Sequence, residues 1–204
     1  MMFKQLQFLT APAALSFLLA MSPAARADSD DPVKFNMVVS AGAKACAANA
    51  SATVRIVPLG PVELMDVTVQ GLPPKTDFDF FVIQVPKAPF GVSWYQGDIE
   101  TDKNGRGHQV FFGRFSIETF ALAPGSAPAP VVFNGAFPDA SANPPFNPIQ
   151  MYHLGLWFGS PEAAQAAGCP ATVTPFNGEH NAGIQVLNTS NFSDDQGPLR
   201  SVKP

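Results

Sequence analysis

Three histidines and a few carboxylates are the residues of this chain best equipped for chemistry: His108, His153 and His180, with Glu179 directly before the last. Neutral imidazole nitrogens together with a carboxylate can hold zinc or copper. The spacing matches neither a HExxH helix nor two close ligands along one strand, so no metal and no cofactor is assigned. Glu179 and His180 could form an acid/base pair, but sequence neighbours point apart on a strand and converge only through a turn. They lie in Asn177-Gly178-Glu179-His180-Asn181, the densest polar cluster of the chain, whose Asn and Gly equally suit a hairpin loop. There is no GxSxG elbow and no SxxK for nucleophilic catalysis. Asp98, Glu100, Asp102 and Glu118 fall on or beside expected strands, and nothing in the sequence brings two of them to the separation that glycoside hydrolysis needs. No catalytic residue is therefore assigned. Asp102 opens a DxNG run, but the twelfth position from it is Gly113, where an EF-hand loop needs Glu.

Aromatic residues are a stronger signal. The chain has 18 Phe, two Trp and two Tyr. Trp94-Tyr95, Tyr152 and Trp157 combine apolar rings with polar tips and could line a groove for a sugar or a peptide; burial in the core is the competing use of the tryptophans. With Asn177, Glu179 and His180 they make up the candidate binding residues, for an unknown protein or glycan ligand.

The elements that must position these groups read as strands. From Val62 to Phe120, apolar and polar residues alternate through VELMDVTVQ, turn at Gly71-Leu72-Pro73-Pro74, and resume in the dense run FDFFVIQV. Period-two alternation punctuated by Pro and Gly marks antiparallel β structure. Phe78, Phe80 and Val82 share one face of a strand and Phe81, Ile83 and Val85 the other, which predicts burial on both sides. Asp102-Lys103-Asn104-Gly105 has Asn-Gly where a tight hairpin needs positive φ, so Trp94 to Glu100 and Gly107 to Phe120 are expected to pair. Strands are also expected at Val33 to Ser40, Thr53 to Leu59, Ile149 to Phe158, Thr172 to Pro175 and Ile184 to Leu187. Ser160-Pro161-Glu162 predicts a short helix to Ala167, with Ser as cap, Pro at the first helical position and Gly168 as its stop. Between Pro124 and Pro148 the chain is Pro-rich with apolar Phe133, Phe137 and Phe146, which predicts an ordered loop laid over one face.

Length suits one domain, 28–192, followed by a flexible C-terminal tail, 193–204. Residues 1–27 have the apolar run and the Ala25-Arg26-Ala27 site of a cleaved secretory signal peptide. Of 12 basic and 16 acidic residues, Lys4 and Arg26 leave with it, so the remainder carries about −6, the wrong sign for nucleic acid. No other stretch is long and apolar enough to cross a membrane. Cys46 and Cys169 are the two cysteines, and in an oxidising compartment they read as one disulfide, contributing about 4 kcal/mol through loop entropy. Three glycosylation sequons start at Asn49, Asn188 and Asn191; the Ala-rich leader points to a bacterial source, in which they would not be used.

The segment DVTVQGLPPKTDFDFFVIQ followed by GDIETDKNGRG resembles, over Gly71 to Gly107, the C-terminal domain of anti-sigma-K factors, and the whole chain is similar to uncharacterised secreted bacterial proteins. The resemblance implies an extracytoplasmic β-sandwich and no activity, since the membrane segment and sigma-binding region of an anti-sigma factor have no counterpart here. The expectation is an all-β antiparallel sandwich, Ig-like or jelly-roll, with one short helix and a long Pro-rich loop. Its function is expected to be that of a secreted non-catalytic binding or cell-envelope protein, contacting its ligand through the Pro-rich loop and the 177–181 loop. The alternative is a secreted hydrolase or metal-dependent enzyme in which His153, His180 and Glu179 converge.

Overall fold

Alternation sets the first strands of the computed structural model, which describes residues 31–121 and 149–203. The expected signal peptide and the Pro-rich loop lie outside the described residues. Strands β1 (Val33–Val39), β2 (Ser51–Pro58) and β3 (Glu63–Gln70) form a meander. Ala52, Val54 and Ile56 of β2 and Met65, Val67 and Val69 of β3 all point into the core. One unbroken register joins the two strands, from Ser51 opposite Gln70 to Pro58 opposite Glu63. A slip of one residue would turn every one of these side chains outward.

Strand β4 (Asp77–Ile83) is buried on both faces, as its sequence predicts. Phe78, Phe80 and Val82 enter the main core. Phe81 and Ile83 join a second cluster with Trp157 and Ala182, against which Phe90 and Phe176 pack. Burying one such ring contributes about 1.5–3 kcal/mol. The remaining elements are β5 (Ser93–Glu100), β6 (Gly107–Gly113), β7 (Phe120–Ala121), β8 (Ile149–Gln150), β9 (His153–Phe158), helix α1 (Pro161–Ala166) and β10 (Gln185–Asn188). In α1 the Ser160 hydroxyl accepts from the Ala163 amide at 3.1 Å, Pro161 opens the first turn, and Gly168 follows at φ +80°. The expected strand at Thr172 to Pro175 is reduced to one bridge between Thr174 and Ala182.

The strands form one eight-stranded antiparallel sheet in the order β5-β4-β9-β10-β1-β2-β3-β6, with β7 and β8 as a separate two-stranded ladder. In place of two separate sheets, β1 serves both halves: Val33 to Met37 pair with β2, Val38 and Val39 with β10. The sheet curls until its edges approach, making nearly a barrel. Phe80 stacks on Phe111 across the interior, and a Cβ on Gly97 would lie 3.1 Å from the Phe111 ring.

The pairing expected of the strands around Asp102-Gly105 does not form. β5 pairs with β4 and β6 with β3, so these two are the edges of the sheet rather than partners. The turn between them is real but different in kind. The Gly105 amide donates to the Asp102 carbonyl at 3.1 Å, the Asp102 side chain accepts from the amides of Asn104 and Arg106, and Gly105 alone has positive φ. A Cβ at Gly105 would collide with the Leu72 carbonyl, so this turn is fitted against the Gly71-Pro74 corner. Thr101 Oγ1 completes the joint, donating to the Pro73 carbonyl at 2.7 Å and accepting from the Thr76 amide at 2.9 Å.

The Cys46–Cys169 disulfide is present, with Cα atoms 5.2 Å apart, and ties the end of α1 to the β1–β2 connection. The segment expected to be a flexible tail is packed: Leu199 and Val202 are fully buried. The Val202 carbonyl accepts from the Ile117 amide at 2.9 Å. The domain therefore runs past residue 192. Asn188, one of the sequon asparagines, is buried, its amide donating to the Pro86 carbonyl and the Gln185 side chain.

Candidate functional site

Because β5 pairs only with β4 and β6 only with β3, each presents one row of backbone groups outside the ladder along the seam of the curled sheet. The seam is filled at Gly97 and Phe111. Beside them lies a groove of about 820 Å³, within the size range of small-ligand sites. Buried Val82, Phe115 and Met151 contribute to its lining. Its walls are three rings left in solvent: Trp94 at 62 % exposure, Phe112 at 65 % and Phe120 at 51 %. Exposed rings gathered around one concavity mark an interaction surface, whereas scattered ones do not. Gln96, Arg114 and Glu118 add polar groups.

Arg114 is held in this wall from below. Its Nη1 lies 3.6 Å from Oε1 of the fully buried Glu63 and 3.9 Å from Oε2 of Glu118. The other Glu63 oxygen accepts from the Phe115 amide at 2.6 Å. A carboxylate at the start of β3 thus anchors the chain that leaves β6 and carries the groove wall.

A second constellation occupies the outward face of β4 and β5. Asp77 and Asp79 share this face, and register places Asp98 opposite Asp79 and Glu100 opposite Asp77. One carboxylate oxygen each from Asp77, Asp79 and Asp98 lies within 4.8 Å of the others. The Tyr95 hydroxyl donates to Asp98 Oδ1 at 2.5 Å. Asp79 is only 4 % exposed and its Oδ2 has no hydrogen-bond partner. Burial first, and the neighbouring Asp98 charge second, push its pKa up to about 7. Asp77 is raised by burial and by Asp98 and Glu100. The Tyr95 phenol is raised by burial and by its bond to Asp98.

The residues singled out in the sequence are dispersed. Trp94 lines the groove, while the neighbouring Tyr95 serves the acidic cluster. Trp157 is fully buried against Phe81, Phe90 and Phe176, with centroids 5.1–5.2 Å away, so it lines no surface groove. Tyr152 is half-buried and donates to the Ile117 carbonyl at 2.9 Å. Asn177 shapes its own loop: its amide donates to the Gly159 carbonyl at 3.0 Å and its oxygen accepts from the Asn181 amide at 2.8 Å. Glu179 and His180 are exposed, His180 at φ +58°. His153 is fully buried, with Nδ1 2.9 Å from Thr189 Oγ1 and Nε2 3.1 Å from the Asp194 carbonyl. His108 sits at the surface, 2.9 Å from Asp66. Among the described residues, the three aspartates are the one group of His, Cys, Asp or Glu ligand atoms gathered this closely.

Phe112, Phe120 and Arg114 were not foreseen as binding residues, nor Asp77 and Asp79 as a cluster. One signal did exist: Asp77 and Asp79 alternate with phenylalanines in a strand whose sequence predicts burial on both faces, and a carboxylate there must find a partner. No model of a known protein family matches this chain, and no curated protein matches it significantly.

Proposed function

We propose that this is a secreted or cell-envelope binding protein without a catalytic role, and that its ligand is an extended polypeptide segment taken up at the β5–β6 seam. The observation that carries this reading is the coincidence of two free strand edges with a groove walled by Trp94, Phe112 and Phe120. An extended peptide can satisfy the edge groups by adding as a strand, and alternate side chains then fill an adjacent pocket. Together the rings removed from water contribute most of the affinity, because large aromatic side chains dominate interface energetics.

The extracytoplasmic placement rests on the leader read in the sequence and on the disulfide, which persists in oxidising compartments. Among the described residues, no helix is long and apolar enough to cross a membrane. The resemblance of Gly71 to Gly107 to anti-sigma-K factors agrees with this compartment and adds no activity. In the same reading the curled sheet is a flattened sandwich, Ig-like or jelly-roll, whose halves meet along β1. The enzyme alternative lacks its support, since His153 is buried away from the exposed Glu179 and His180.

The test uses peptide and glycan arrays with the oxidised protein and its Trp94→Ala and Phe112→Ala variants. Peptide binding that both variants weaken at least about tenfold, the weight of one hot-spot ring, supports the proposal. Binding to glycans alone, or peptide binding indifferent to both substitutions, overturns it.

A further inference from the structure

We propose that Asp77, Asp79 and Asp98 form a divalent-cation site on the outward face of β4 and β5, and that calcium is the ion it takes. This inference is independent of the groove.

Three observations meet there. The first is position: alternation puts Asp77 and Asp79 on one side of β4, and the β4–β5 register sets Asp98 against Asp79. The second is an unanswered buried oxygen. Asp79 is 4 % exposed and its Oδ2 has no partner, a costly condition for an ionised carboxylate unless a charge answers it. The third is the absence of that charge among the described residues. None of the ion pairs among the described residues involves the three aspartates. Lys75 lines the shallow depression beside Asp77 and Glu100 without reaching either within ion-pair distance.

The donor set selects the ion. All donors are oxygens, which disfavours zinc and copper, whose sites draw on nitrogen and sulfur. Ligand oxygens on one calcium ion, at about 2.3–2.6 Å, lie up to about 5 Å apart, and on magnesium, at about 2.0–2.1 Å, up to about 4 Å. A mutual spacing within 4.8 Å stays inside the span of calcium, the wider of the two. Asp77 and Asp98 are exposed, so water can complete the irregular shell that calcium accepts. Room is left on the other flank: a Cβ at Gly159 would lie 3.0 Å from Asp77 Oδ2, so glycine at this position keeps the carboxylate unobstructed. Tyr95, bonded to Asp98, orients that carboxylate as an outer-shell partner.

The experiment is calorimetric titration of calcium, magnesium and zinc into chelator-treated full-length protein, with thermal melts in parallel. Terbium luminescence sensitised through Tyr95 serves as a local probe. Wild type should bind one calcium, at about the 0.1–1 mM typical of extracellular modules, melt higher with calcium, and light up terbium. Asp79→Asn and Asp98→Asn should each weaken calcium binding more than about tenfold, while Asp195→Asn, at an exposed position remote in sequence, should leave it unchanged. Melts in chelator establish that the variants fold. No saturable calcium binding up to about 10 mM, well above that range, overturns the proposal. So does calcium binding that survives both substitutions, or tighter binding of magnesium or zinc.

Discussion

Phe80 and Phe111 stack across the interior with ring centroids 5.2 Å apart and planes 7° from parallel. Phe80 belongs to β4, beside one edge of the sheet, and Phe111 to β6, the other edge. Their contact packs the core behind the seam, whose strand edges stay free of backbone pairing. Phe111→Ala should therefore cost about 3–5 kcal/mol in urea unfolding, the range for removing a buried ring. Phe112→Ala, one position on but 65 % exposed, should stay within about 0.5 kcal/mol. Equal costs would contradict the seam as drawn.

His153 gives the pH dependence. It is fully buried, and burial lowers its pKa below the ordinary value, against the opposing pull of the carbonyls and charge near Asp194. Its contacts suit the neutral ring, Nε2–H donating to the Asp194 carbonyl and Nδ1 accepting from Thr189. The unfolded chain then binds the extra proton first as pH falls. Stability from this group is complete above about pH 6.5 and is lost as pH drops from there through the folded pKa. Asp79 acts in the opposite sense over the same range, because a carboxyl raised to about 7 adds stability as pH falls. The measurement is therefore a difference: between pH 7.5 and about 5 the wild type should lose more stability, or gain less, than His153→Asn. Identical slopes would remove His153 as a source.

In chelator at about pH 8, Asp79→Asn should raise the melting temperature. Three carboxylates crowd within 4.8 Å, and the substitution removes one charge from a nearly buried position at little change of shape. The relief should be about 1–3 kcal/mol, the scale of an unsatisfied buried polar group. A lower melting temperature would mean that the Asp79 charge already has a stabilising partner.

Removing the disulfide as Cys46→Ala with Cys169→Ala should cost about 2–5 kcal/mol, because the bridge closes most of the domain. Denaturant unfolding checks this, with a loss below about 1 kcal/mol marking the tie as dispensable.

Gly105→Ala should destabilise by about 1–3 kcal/mol through strain at its φ of +69° and collision with Leu72. Gly168→Ala, at φ +80° but with open space around it, should cost less. Paired urea melts of the two variants separate collision from conformational strain.

Local chemistry was legible in the sequence. Period-two alternation identified most of the strands and both buried faces of β4, Ser160-Pro161 and Gly168 bounded α1, and two cysteines could pair in only one way. Each depends on residues near in sequence or on counting. Partnership was not legible. The turn at Asp102-Gly105 has the residues of a hairpin, but the strands it joins gain more by pairing with β4 and β3, where Phe78, Phe80, Met65 and Val67 reach the core. Leu199 and Val202 look like a tail until the Tyr152 carbonyl accepts from the Leu199 amide and the Ile117 amide donates to the Val202 carbonyl. Asp79 and Asp98 meet only through a register that shifts between Phe80 and Phe81, and Trp94 meets Phe112 and Phe120 only because the sheet curls. Propensity acts over a few residues, whereas register and curvature minimise the exposed apolar surface of the whole chain. The sequence by itself therefore determined the class of fold and its disulfide; the tertiary structure decided which strands became free edges and which side chains gathered there.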